Sequence, residues 1–171
     1  MKKNILITGG AGNIGGSLAR RLVKNAENNI LIVDNLLTGT KEKFPNVSYS
    51  NWMFINADVN NFSDISSVMT SIKFDYIFHY AAVVGVERTL KNPKLVLDDI
   101  NGIRNILDLS KNTGVKRVLF SSSSEIYGEP VEIPQSENTT PLNSRLPYAI
   151  VKNVAESFCK SYQQEYGLDY T

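Results

Sequence analysis

The order strand, glycines, helix at the start of the chain limits its fold more than any other feature. Asn4–Thr8 (NILIT) is a short run rich in β-branched residues that reads as a buried strand, and Ile14, Leu18 and Leu22 then recur at helical spacing. The junction reads Thr8-Gly9-Gly10-Ala11-Gly12-Asn13-Ile14-Gly15. Glycine admits positive φ in the turn, lets backbone N–H groups approach a ligand and lets the helix pack closely on the strand. The helix N-terminus then favours an anion. In isolation such a string is also an ordinary flexible turn. Its place between strand and helix points to a dinucleotide pyrophosphate.

The pattern repeats along the chain. Asn29–Asp34, Met53–Asn56, Tyr76–His79 and Val115–Ser121 read as further strands, separated by helical or loop segments. Asp64–Ile72 suits a short helix. Pro93 opens a longer one, with Val96, Ile100, Ile103 and Leu107 on one side, that ends near Gly114. Gly128–Pro147 is polar and interrupted by Pro130, Pro134 and Pro141, which suggests a loop over a site. Tyr148–Tyr166 is a last helix, closed by Gly167. Continuous apolar strands alternating with helices imply a parallel sheet buried on both faces, a doubly wound α/β domain of the Rossmann type.

With 171 residues, 42% hydrophobic and 20% charged, one domain over residues 1–171 is expected. The formal net charge of +1 and the lack of a basic stripe point away from nucleic acid and membrane surfaces. Cys159 is the only cysteine, so no internal disulfide can form and no cysteine metal site is indicated. The apolar run Ile5-Leu6-Ile7 is too short for a secretion signal or membrane span, and a cytoplasmic location is expected.

Asp34 ends the second strand, where a carboxylate can accept from the adenosine ribose hydroxyls and repel a 2′-phosphate. NAD rather than NADP is therefore expected, although a solvated turn aspartate before Asn35 looks the same. Asp58-Val59, after the third strand, can bracket the adenine. Tyr148 and Lys152 stand at i, i+4 on one helix face, following Ser123 beyond strand five. A phenol is a poor base near neutrality, and a neighbouring ammonium and a positively charged nicotinamide favour its phenolate. Tyr148 is thus the expected acid–base group, tuned by Lys152, with Ser123 aligning a substrate hydroxyl.

TGGAGNIGG, the strand-end Asp34-Asn35-Leu36, HYAA at 79–82, FSSSSEIYG at 120–128 and YAIVK at 148–152 together resemble the extended short-chain dehydrogenase/reductase family. The order and spacing agree from residue 4 to the end, and the likeness is greatest to NAD-dependent nucleotide-sugar epimerases, dehydratases and decarboxylases. The resemblance implies a catalytic set of Ser123, Tyr148 and Lys152, with Glu125 as a further acid or base. It implies cofactor contacts at Gly9, Gly12, Asn13, Ile14, Gly15, Asp34, Asn35, Asp58, Val59, Tyr80, Ala81, Ala82 and Val84, and from Tyr148 and Lys152 themselves. The expected reaction is epimerisation of a nucleoside-diphosphate sugar through a 4-keto intermediate, as in UDP-glucose 4-epimerases. The alternatives are a decarboxylase or 4,6-dehydratase using Glu125, and an NAD-binding module without turnover.

Two departures from the family pattern stand out. Asparagine is common where this chain has Asp99, and threonine where it has Ile103, so cofactor contacts from Asp98 or Asp99 are not expected. Ser124 stands where dehydratases usually carry aspartate, which weighs against 4,6-dehydration. The resemblance assigns His79, the only histidine, a structural role. Relatives of this kind continue into a smaller substrate domain, and Asp169–Thr171 reads as the entry to a sixth strand. The 171-residue chain is accordingly expected to be truncated, binding NAD weakly and turning over little. A homodimer through the helices at 93–113 and 148–166 is also implied, with Val154, Phe158 and Tyr162 either at that contact or facing the sheet.

Overall fold

The computed structural model describes residues 2–171. The elements are β1 (Lys3–Thr8), α1 (Asn13–Leu22), β2 (Asn28–Asp34), β3 (Trp52–Asn56), α2 (Phe62–Ser71), β4 (Tyr76–His79), α3 (Val86–Lys91), α4 (Pro93–Thr113), β5 (Arg117–Phe120), α5 (Pro147–Tyr166) and β6 (Asp169–Tyr170). The six strands form one parallel sheet in the order β3-β2-β1-β4-β5-β6. The Rossmann-type reading is correct.

Alternate residues of the central strands face opposite layers. Leu6, Leu31, Ile77 and Val118 point into a core shared with Ile65 and Met69 of α2, Ile103, Ile106 and Leu107 of α4, and Ala155 and Cys159 of α5. Ile5, Ile7, Ile30 and Ile32 point the other way, against Ala19 and Val23 at α1. Burial on both sides explains why these strands read as continuous apolar runs.

The sequence also places the ends of the helices. Pro93 and Pro147 sit in the first turns of α4 and α5, and Gly114 and Gly167 close them in left-handed conformation at φ 74° and 69°. Asn61 caps α2 by accepting from the Ser63 N–H, which starts that helix two residues ahead of expectation. The short α3 was not anticipated. It is held by the exposed Glu87–Lys91 pair and by Arg88, which donates to the Val84 carbonyl at 2.7 Å. Phe158 and Tyr162 pack against the core and Tyr162 donates to Asp108 at 2.8 Å, so these two face the sheet layer. The chain does extend into a sixth strand, where β6 pairs with β5 and Arg117 bridges to Asp169. Among the described residues, no helix is long and apolar enough to cross a membrane.

Candidate active site

From β1 the chain winds outward to β2 and β3, then crosses back to place β4 on the other side of β1. In open α/β sheets ligands bind in the crevice outside the carboxyl ends of the strands at such a switch point, here between β1 and β4. Gly9, at φ 69°, lies against the loop that follows β4. A Cβ on Gly9 would stand 2.6 Å from the Ala81 nitrogen and 2.8 Å from the Tyr80 carbonyl oxygen. A Cβ on Gly15 would stand 2.5 Å from the Gly9 carbonyl oxygen. Gly12 precedes α1 without a side-chain cap, and Asn13 and Ile14 are exposed. The opening of α1 thus combines close backbone approach with first-turn N–H groups that no side chain caps, a cradle suited to a diphosphate.

Asp34 is buried at the edge of this cradle. Its carboxylate accepts from the Ala11 N–H at 2.9 Å and the Leu36 N–H at 2.8 Å, leaving further lone pairs for ligand hydroxyls. Asn35 donates to Asp58 at 3.2 Å, which joins the loops after β2 and β3. Val59 is only 7% exposed, so its side chain belongs to the core and the loop can offer a ligand its backbone and Asp58.

On the other side of the crevice, Thr8 links the β1 and β4 ends. Its hydroxyl accepts from the Ala81 N–H at 3.3 Å and meets His79 Nδ1 at 2.8 Å. Burial pushes His79 down to about 3, with the Lys152 charge acting in the same direction, so the imidazole is neutral and structural, as expected. Tyr80 turns its ring towards Phe78, with ring centroids 6.1 Å apart, while Ala81, Ala82 and the exposed Val84 continue along the crevice.

The serine run resolves into separate tasks. Ser121 presents its carbonyl oxygen to Lys152 Nζ at 2.8 Å, Ser122 donates to Glu156, and Ser123 accepts from the Glu125 N–H at 3.2 Å. Tyr148 packs its ring against Val83, Val96 and Val151. Lys152 is 4% exposed, and its Nζ lies 4.7 Å from the Phe120 ring centroid and 5.6 Å from that of Tyr148. An ammonium carries three donors. Among the described residues Lys152 uses one, on Ser121, which leaves donors for ligand hydroxyls.

Without a cofactor, the surroundings of Tyr148 act against the phenolate. Burial holds its phenol above the ordinary value; hydrogen bonding with Ser123 opposes this, and the Glu125 and Asp99 carboxylates add to the rise. Lys152 is itself lowered by burial to about 8, with Asp99 acting to raise it. Desolvation and the two carboxylates thus move the phenol further from ionisation than its ordinary value.

Sequence reasoning set Asp99 aside, yet it sits among these groups. Its carboxylate accepts from the Val83 N–H at 2.7 Å and from the Asn60 amide at 3.3 Å. Asp98 instead pairs with Lys94 on the exposed face of α4. The available signal was register: Asp99 shares the buried side of α4 with Val96 and Ile103.

The chain has relatives among known proteins. The sequence profile of the NAD dependent epimerase/dehydratase family matches residues 5–171. The chain belongs to that family. NAD is the family's cofactor, and a solved member, the UDP-glucose 4-epimerase of Thermus thermophilus in complex with NAD, superposes with a TM-score of 0.88 at 29% identity, over 98% of this chain and 53% of that one. A UDP-N-acetylglucosamine 4-epimerase from Methanobrevibacter ruminantium, solved with UDP-N-acetylmuramic acid, gives 0.89 at 34% identity, over 99% and 54%. The UDP-N-acetyl-alpha-D-glucosaminuronate decarboxylase of Bacillus cytotoxicus is 37% identical over 100% of this chain and 53% of its own length. The chain thus spans about half the length of these family members.

Proposed function

We propose that the protein epimerises a nucleoside-diphosphate sugar through a transient 4-keto intermediate. The observation that supports this reading most is the meeting of Ser123, Tyr148 and Lys152 beyond β5, in the sheet whose first strand ends in the glycine cradle. Bound there, NAD would take a hydride from the sugar carbon and return it, so no second redox substrate is needed. The chain's own groups handle position and protons. Gly12, Asn13, Ile14 and Gly15 hold the diphosphate, and Asp34, Asn35, Asp58 and Val59 bound the adenosine end. Tyr80, Ala81, Ala82 and Val84 bound the nicotinamide end. Ser123 orients the sugar hydroxyl, whose proton passes to Tyr148 Oη as the keto group forms and comes back on reduction. Lys152 turns its uncommitted donors to the ribose and brings positive charge to a phenol that burial raises.

Tyr148→Phe should keep NAD affinity and lower turnover of the gene product, expressed from its full reading frame, by at least about a hundredfold. Unchanged turnover would remove Tyr148 from the acid–base role. Glu125 supports a second reading. Its carboxylate acts on Tyr148, and it would be the additional acid or base in decarboxylation. The product's mass separates the two, since epimerisation leaves it unchanged and loss of carbon dioxide does not.

A further inference from the structure

Asp99, Gly102 and Asn105 recur every three residues along α4 and form a stripe against the loop after β3. Asn105 donates to the Val59 carbonyl at 2.9 Å and to the Asn60 carbonyl at 3.4 Å. At Gly102 a Cβ would come within 2.6 Å of Asn60 Oδ1 and 3.0 Å of Val59 Cγ2, so only glycine lets the loop seat this closely. Asp99 completes the stripe and reaches further, because its other oxygen holds the Val83 N–H in the loop after β4. One carboxylate therefore fastens to α4 both the loop after β3 and the loop after β4.

Both of its partners are donors, so the arrangement suits an ionised carboxylate, which only accepts. The Asn60 amide is committed to this arrangement: its NH2 points at Asp99, while its own oxygen is buried without a partner. The charged groups facing Asp99 come from three elements. Lys152 of α5 favours ionisation and Asp58 of the β3 loop opposes it, while Tyr148 of α5 is raised by Asp99 in turn. Glu125 acts on Tyr148, and His79 of β4 is neutral. Asp99 is the carboxylate that acts on Lys152, whose direct contacts are the Ser121 carbonyl and two aromatic rings.

We propose that Asp99 is a positioning residue that ties the β3 and β4 loops to α4 and supplies the counter-charge of the Lys152 ammonium. An asparagine, common at this place in the resembling family, can tie a loop but carries no charge. The reading that the crevice binds NAD gives this device its purpose. When Asp99 takes up a proton, Val83 loses its ionic acceptor and Lys152 its partner, so NAD affinity should fall as pH drops through the Asp99 titration, which burial has raised.

The test starts without NAD, so that it does not depend on the cofactor reading. In the wild-type protein, side-chain NMR should show the Asp99 carboxyl titration reproduced as a step in the Lys152 Nζ and Val83 N–H signals. In Asp99→Asn the Lys152 titration should move down from about 8 by roughly one pH unit. Val83 amide exchange should rise at least about tenfold in Asp99→Leu, and stay within a few-fold in Asp99→Asn, whose oxygen still accepts. A Lys152 titration that ignores both the Asp99 step and the Asn replacement overturns the charge role. Val83 exchange unchanged in the leucine variant overturns the tether, and the wild-type titration decides the matter if either variant fails to fold. NAD titration across the same pH range then separates the two ideas. Absence of NAD binding at every pH sinks the cofactor reading while the NMR coupling stands.

Discussion

The two sides of the crevice hold buried charge in opposite ways. Asp34, on the β1–β2 side, is met by two backbone N–H groups, and the glycine cradle beside it works through backbone geometry alone. Lys152, on the β4–β5 side, has one carbonyl and two aromatic rings, and around it Lys152, His79 and Tyr148 all depart from their ordinary proton affinities. Fixed dipoles meet a ligand's charge without reorganising. Desolvated side chains hold protons that a ligand can redistribute. The first side is therefore suited to anchoring and the second to chemistry.

The largest expected effect comes from breaking the backbone side. Gly15→Val would drive its Cβ towards the Gly9 carbonyl oxygen, 2.5 Å away, and the Gly10 Cα, 2.9 Å away. Overpacking of this kind costs about 1–3 kcal/mol, and the displaced loop should lower NAD affinity by about a hundredfold. Titration calorimetry reads the loss while circular dichroism shows the helices retained. Undiminished affinity would mean that the cradle does not do the anchoring.

The same contrast explains what the sequence disclosed. Strand identity, the glycine turn and the helix stops at Gly114 and Gly167 follow from local periodicity and backbone freedom, so they were readable to within a residue or two. The Ser123, Tyr148 and Lys152 positions followed from motif order. What escaped was set by distant packing. Asp99 meets groups 16 and 39 residues away, and no local pattern announces those meetings. The direction of the Tyr148 shift depends on burial by Val83, Val96 and Val151, which a spacing of i, i+4 does not encode. Helix α3 is too short to show a period.

The next effect probes the desolvated side through stability. Folded His79 titrates near 3, whereas an unfolded histidine titrates near about 6.5. Below that value the unfolded chain takes up a proton that the folded chain refuses, so stability falls with pH. Between pH 7 and 5 the loss should approach about 2 kcal/mol, with a slope nearing 1.4 kcal/mol per pH unit. Denaturant melts of wild type and His79→Phe across this range check it. The difference between the two isolates the imidazole from the carboxylates, among which Asp99, raised by burial, acts with the opposite sign. Parallel stability curves would mean that the imidazole is solvated.

The smallest effect sharpens the comparison at the one buried charge of the backbone side. Asp34→Ser removes a carboxylate whose spare lone pairs face the cradle while its bonds to Ala11 and Leu36 hold it still. A ribose hydroxyl loses a charged acceptor, so NAD affinity should fall by about tenfold, at the lower end of what a hydrogen bond to a charged group contributes. The same change removes the repulsion felt by a 2′-phosphate, so NADP should gain while NAD loses. Those opposite signs are the diagnostic, because loop damage from the lost Ala11 and Leu36 bonds would weaken both cofactors together. Wild-type protein that binds NADP as tightly as NAD would take discrimination away from Asp34 and leave it as a brace for the glycine turn.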